Sequence, residues 1–116
     1  MKKITVLIVL ILAAFTLAGA DLTGTWSIAV VLDAGNGTAT FTFKQSGDAL
    51  SGTYSGTFGQ AQVTGTVKGD RIEWSFESDQ LGRVTYDGVL DGGNKIKGTV
   101  IYGQLGKGTF TGEKKT

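Results

Sequence analysis

The chain of 116 residues carries 11 basic and 10 acidic side chains and has no cysteine, histidine or proline. Without cysteine there is no disulfide framework, thiolate nucleophile or zinc–thiolate centre. Without histidine the commonest general base and the commonest metal ligand are gone.

The first segment reads as a secretory signal peptide. Lys2 and Lys3 give a charged start, Ile4 to Leu17 an apolar run, and Ala18-Gly19-Ala20 the small residues of a cleavage site. Cleavage is expected before Asp21. The apolar run is roughly 14 residues, short of the roughly 20 that span a bilayer, so no membrane span is expected after cleavage. Leu17-Ala18-Gly19 resembles the start of a lipobox, but Ala20 stands where a lipidated cysteine belongs. The expected location is secreted or periplasmic. Loss of 20 residues leaves 96, enough for one small domain over 21–116, with 9 basic against 10 acidic groups. A near-neutral domain with dispersed charge has no electrostatic footprint for nucleic acid.

From Asp21 onward, apolar residues alternate with polar ones in eight runs, the period of a half-buried strand. The first run places Leu22, Gly24, Trp26, Ile28, Val30 and Leu32 on one face. Ala39, Phe41 and Phe43 follow in the second, then Leu50, Gly52 and Tyr54 in the third. The fourth and fifth give Ala61, Val63, Gly65 and Val67, then Ile72, Trp74 and Phe76. Val84, Tyr86, Gly88 and Leu90 mark the sixth. Ile96, Gly98, Val100 and Tyr102 mark the seventh, and Gly108, Phe110 and Gly112 the eighth. The opposite face is mostly Thr, Lys and Glu; threonine suits it because its branched carbon favours extended backbone while its hydroxyl meets water. Glycine recurs on the apolar face in a short repeated motif such as Leu50-Ser51-Gly52-Thr53-Tyr54, where it lets strands coil tightly under a neighbouring ring.

Turn residues separate the runs at Asp33 to Gly37, Ser46 to Asp48, Gly56 to Gln60, Gly69-Asp70, Asp79 to Gly82, Asp91 to Asn94 and Gly103 to Gly106. Short turns make each strand antiparallel to the last. An open sheet of this kind would leave its apolar face wet, and no helical segment is available to cover it. The expected fold is therefore all-β, an eight-stranded antiparallel up-and-down meander closed into a barrel, which buries that face and removes both edges. A two-sheet β-sandwich is the alternative. The inverted arrangement, with aromatics toward lipid, is disfavoured by strands of about seven residues where roughly 9–11 are needed to span.

Leu22 to Trp26 and Leu50 to Tyr54 resemble the Gly-x-Trp and Leu-x-Gly-x-Tyr strands of the avidin and streptavidin family, which stands with the lipocalins among calycin-type ligand-binding barrels. The resemblance implies an up-and-down barrel. It does not carry biotin binding over: Ile28 stands where the family has a polar ligand, and Gly56 where it has a serine. The later tryptophans of the family are missing too, since only Trp26 and Trp74 are present.

In a meander, alternate turns share one end. The set holding Asp33 to Gly37, Gly56 to Gln60, Asp79 to Gly82 and Gly103 to Gly106 is expected to be the longer and to carry exposed apolar tips at Phe58, Leu81 and Leu105. The other set is short polar hairpin chemistry. Tyr54, Tyr86 and Tyr102 are expected in the first, mouth half, with Trp26 in the floor half. Buried tyrosine hydroxyls need partners, which are easier to find near water or a ligand. The candidate ligand-binding residues are therefore Tyr54, Phe58, Leu81, Tyr86, Tyr102 and Leu105, lining a small apolar cleft for a small apolar ligand. Against this stands a fully packed core, because a barrel of about eight strands is only just wide enough for its own side chains.

No catalytic residue and no metal or cofactor site is expected. The aspartates fall in turns and Glu73, Glu77 and Asp87 on the wet face, so no carboxylate pair sits in an apolar pocket that could tune it. Asp33, Asn36 and Asp91 to Asn94 read as turn residues rather than calcium ligands. The expected protein is a non-enzyme; the alternative function is a structural or protein-interaction module. Val31, Val89 and Ile101 interrupt the polar face and could seed an oligomer contact.

Overall fold

The computed structural model describes residues 21–115. The signal peptide expected over residues 1–20 lies outside the described residues. Eight strands follow one another: β1 (Gly24–Leu32), β2 (Gly35–Ser46), β3 (Ala49–Gly56), β4 (Gly59–Lys68), β5 (Arg71–Ser78), β6 (Gly82–Leu90), β7 (Lys95–Tyr102) and β8 (Lys107–Lys114). Each is antiparallel to its neighbours, and β1 pairs with β8, so the sheet closes into a barrel in simple up-and-down order. Closure rules out the two-sheet sandwich.

The alternation read in the sequence becomes the inside and outside of this barrel. Trp26, Phe41, Phe43, Tyr54, Trp74, Phe76, Tyr86, Tyr102 and Phe110 are all buried, whereas Thr42, Lys44, Thr64, Thr66, Lys68, Glu73, Lys95, Lys97 and Thr109 are exposed. Burying one large side chain stabilises by about 1.5–3 kcal/mol, and here the rings also touch. Phe41 alone packs against Phe43, Tyr54, Trp74, Phe76 and Tyr86, with centroids 5.2 to 6.1 Å away.

Inward glycines make room for these rings. Gly88 and Gly98 face one another across β6 and β7, and Phe110 on β8 sits beside Gly98. A Cβ on Gly88 would lie 2.8 Å from the Phe110 ring tip. The ring occupies the space that two side chains would otherwise need. At Gly98, an added Cβ would run into the Asp87 carbonyl and the Gly88 backbone.

Two expectations about the strands need correction. Residues Gly35 to Gly37 were expected in a loop, but they extend β2, with Gly35 paired to Leu32 and Gly37 to Val30. The strands run from 8 to 12 residues, longer than the expected seven. Closing a barrel against tilted neighbours rewards every added rung of pairing, and this outweighs the turn preference of Gly-Asn-Gly.

The floor end is plugged. Leu22 is fully buried below β1, its backbone N–H donates to Gln45 Oε1 at 2.8 Å, and its carbonyl accepts from Trp26 Nε1 at 2.9 Å. The floor turns Gly47-Asp48 and Gly69-Asp70 are two-residue hairpins whose glycines sit at φ +62°, a conformation that suits glycine in this turn type.

Candidate binding site

The mouth end is formed by the turns Asp33-Ala34, Thr57-Phe58, Asp79 to Leu81 and the short 3-10 turn Gly103–Leu105. The mouth connections span two, two, three and four residues and the floor connections two, two and four, so length does not separate the two ends in the way expected. What separates the ends is chemistry: Leu22 seals one, while the other is roofed by side chains from its own turns.

Leu81 was expected to be an exposed tip and is buried. It folds over the barrel end because the Ser78 hydroxyl accepts from the N–H groups of Gln80 and Leu81, both at 3.2 Å, turning that loop inward. Gln104 N–H then donates to the Leu81 carbonyl at 3.2 Å, tying two mouth turns together. Phe58 is half-buried and stands edge-on to Tyr102, centroids 5.7 Å apart. Leu105 is exposed, as expected.

The three tyrosines are buried, but they do not enclose a cavity among themselves. Tyr54 stacks on Phe76 at 4.1 Å, and its hydroxyl accepts from the Phe58 N–H at 3.3 Å, so it braces the β3–β4 turn. That hydroxyl also fills the space over Gly56, where an added Cβ would lie 2.7 Å from it. Tyr86 lies mid-barrel, stacked on Trp74 at 4.8 Å. Its hydroxyl and Trp74 Nε1 are buried without a hydrogen-bond partner. Trp74 stands edge-on to Phe43 and Phe110 at 5.0 and 5.4 Å, whose faces are weak acceptors for an N–H. Tyr102 reaches the mouth. Burial holds the hydroxyl protons of Tyr86 and Tyr102 far more tightly than in a free tyrosine; Tyr102 and Tyr54 add to this at Tyr86, and Tyr54 adds to it at Tyr102. Tyr86 nonetheless lies beside Tyr102 without the geometry of a hydrogen bond.

Two recesses open at this end. The first, about 180 Å³, is bounded by Val30, Leu32, Ala34 and the Gly35 to Thr38 stretch of the β1–β2 hairpin, and by Thr57, Phe58, Tyr102 and Leu105. Phe58, Tyr102 and Leu105 of the six predicted residues therefore meet in one cleft. Tyr54 and Tyr86 belong to the core behind it, and Leu81 to the roof beside it. Sequence reasoning missed the β1–β2 wall because it placed Gly35 to Gly37 in a loop; the unbroken alternation Ile28, Val30, Leu32 was the available signal.

The second recess, about 410 Å³, is polar and lies between β4 and β5. Their pairing stops at Thr64↔Ser75, although β4 continues back to Gly59 and β5 on to Ser78. Small residues, half-buried Ala61 and buried Ser78, flank this open seam. At its rim, Arg83 pairs with Glu77 at 2.7 Å and donates to the Ser75 hydroxyl at 2.9 Å. Phe58 borders both recesses.

Val31 and Ile101 are exposed on the outer wall, but they flank β8 opposite different residues, Thr109 and Lys107. Val89 lies between Arg71 and Lys97. The three do not form a contiguous patch.

Comparison with known proteins bears on the fold. No protein-family model matches the chain, and no curated protein matches it. A solved structure of a redesigned β-barrel is similar, at 18% identity and a TM-score of 0.63, over 82% of this chain and 91% of that one. At that identity the likeness shows the barrel fold alone.

Proposed function

We propose that this chain is a secreted or periplasmic, non-enzymatic barrel that binds a small apolar group in the mouth cleft, not inside the barrel. The observation that carries the reading is the apolar recess of about 180 Å³ walled by Leu32, Phe58, Tyr102 and Leu105. Buried apolar cavities of about 150 Å³ accept a benzene-sized guest, whereas drug-sized ligands occupy roughly 300 Å³ or more. The match is therefore to a single ring or a short alkyl end. The ring-filled interior supports binding at the mouth and leaves no room for a larger ligand in the centre.

The non-enzymatic part rests on composition and exposure. There is no histidine or cysteine, and among the described residues every Asp and Glu is exposed apart from half-buried Asp87, which pairs with Arg71 at 3.0 Å. The location rests on the charged start, apolar run and small residues of positions 1–20, and a polar outer wall suits a barrel that faces water. Kinship with avidin-type barrels belongs to the same proposal, supported by the strand motifs at Trp26 and Tyr54. Ile28 and Gly56 keep biotin out of it.

Titration of the ¹⁵N-labelled mature protein with toluene and with indole tests the reading. Saturable amide shifts confined to Leu32, Phe58, Tyr102, Leu105 and their neighbours are expected. Shifts that are absent, or spread evenly over the barrel, overturn it. Intact-mass analysis of the exported protein tests the location, with a chain beginning at Asp21 expected.

A further inference from the structure

The seam between β4 and β5 leaves two strand edges open inside an otherwise continuous sheet. Their ladder ends at Thr64↔Ser75, so residues 59–63 of β4 and 76–78 of β5 have no partner on that side. On their other sides both stretches are paired, β4 to β3 as far as Gly56↔Gly59 and β5 to β6 as far as Ser78↔Gly82. The two edges are therefore held extended while they face the gap. Lys68 and Arg71 close a two-residue hairpin and exchange both ladder bonds, and by alternation Thr66↔Glu73 and Thr64↔Ser75 do the same. Carried past the last rung, this parity turns the N–H and C=O groups of Gln60, Gln62 and Glu77 into the gap. Those of Gln60 and Gln62 stand about 7 Å apart, two strand rises.

Unmet main-chain donors and acceptors repeating at strand spacing match an extended peptide, whose own groups carry the same period. Sugar hydroxyls have no such period. The recess along the seam, about 410 Å³, has apolar lining from Tyr54, Phe58, Ala61 and Phe76, while Gln60, Gln62 and Glu77 are exposed. A strand added to β4 would continue its alternation, with every second side chain turned to the barrel interior. Charge adds a preference: Glu77 is paired with Arg83, whereas Asp79, which also lines the recess, is exposed and has no cationic partner among the described residues. We propose that the seam docks an extended peptide segment of a partner protein, about five residues long, as an added strand along β4. Its apolar residues alternate toward the rings, and a basic residue on the outer side answers Asp79. This site shares only Phe58 with the mouth cleft and does not depend on what that cleft binds.

The peptide acetyl-Thr-Val-Lys-Val-Thr-amide, titrated into the ¹⁵N-labelled mature protein, tests the proposal. Saturable shifts of the Gln60, Gln62 and Glu77 amides are expected, with hydrogen exchange at Gln60 and Gln62 slowed about tenfold at tenfold excess over Kd. Two N-methylated versions, one blocked at both valines and one at the lysine and the last threonine, remove the amide hydrogens from one side of the peptide each. One of the two should bind at least about fivefold more weakly, the worth of a backbone hydrogen bond. Gln62→Pro deletes a donor that no ladder bond uses; it should lose peptide binding while the rest of its amide spectrum is retained. Shifts that are absent, or that lie away from the seam, overturn the proposal. So does binding that survives both methylations, a readout that does not require the variant to fold. Cellobiose shifting these amides where the peptide does not would make the recess a sugar site instead. Concentration-dependent shifts of the same amides in the peptide-free protein, together with a dimer mass, would assign the seam to a second copy of the chain and likewise overturn it.

Discussion

Trp74 lies flat against Tyr86, ring centroids 4.8 Å apart and planes 8° from parallel, and each ring carries a buried polar atom with no hydrogen-bond partner. The two are directly opposed on β5 and β6, where cross-strand side chains stand closest. The barrel centre thus favours ring contact over polar satisfaction. That choice has measurable consequences.

Tyr86→Phe keeps the ring and removes the unsatisfied hydroxyl. Burying an unpaired polar group costs about 1–3 kcal/mol, so the variant is expected to be as stable as wild type or more so, by about 1 kcal/mol. Urea midpoints at neutral pH measure this. A loss of stability would reveal a partner for that hydroxyl, such as a bound water.

Alkaline stability follows from the same burial. The hydroxyls of Tyr86 and Tyr102 ionise well above the ordinary value of 10.0 in the folded state. Above that value the unfolded chain releases these protons while the folded chain keeps them. The neutral tyrosines therefore contribute fully below about pH 10, and stability falls as pH rises beyond it, by about 1.4 kcal/mol per pH unit for each group. Tyr86→Phe should flatten the decline by one tyrosine's share. Equal slopes for wild type and variant would contradict the assignment.

Gly52→Val and Gly98→Val are each expected to destabilise the barrel by about 1–3 kcal/mol or more through overpacking. A Cβ at Gly52 would meet the Thr42 carbonyl, and one at Gly98 the Asp87 carbonyl; neither backbone can step aside in a closed sheet. Gly93→Ala is the control, since no atom lies within 4 Å of the added Cβ and the backbone there needs no left-handed conformation. Thermal melts of the three variants distinguish these cases.

Leu22→Ala should cost about 2–5 kcal/mol, the range for a large-to-small change at a buried site, because Leu22 is wholly buried beneath Trp26. A chain starting at Thr23 should lose at least as much, since it also forfeits the Leu22 N–H bond to Gln45. Denaturant midpoints of the two forms, compared with a chain starting at Asp21, test whether the floor depends on this plug.

The open seam predicts uneven hydrogen exchange. In an antiparallel ladder successive residues face alternate neighbours. With Thr64↔Ser75 as the last rung, the amides of Gln60, Gln62 and Glu77 point into the gap between β4 and β5. They should exchange orders of magnitude faster than those of Thr64, Thr66 and Glu73. Uniform protection along both strands would mean that the seam is closed in solution.

The alternation of side chains along each run, from Trp26-Ser27-Ile28 to Gly108-Thr109-Phe110, was enough to determine eight strands, their inner and outer faces and the need for closure. Period two is a local property of extended backbone, and an apolar face without a helix to cover it has few ways to leave water. The same local logic misjudged Gly35 to Gly37, because turn chemistry was read without the neighbouring Val30 to Leu32 that recruits these residues into the ladder.

Only the tertiary structure decided how the ends are finished. Leu22 plugging the floor, Leu81 drawn inward by the Ser78 hydroxyl and the ladder that halts at Thr64↔Ser75 each join residues from different elements. Whether the aromatics fill the barrel was likewise settled by packing. Glycine size and ring orientation at Gly88, Gly98 and Phe110 fix the free volume, and that volume is a property of the closed sheet, not of any one strand.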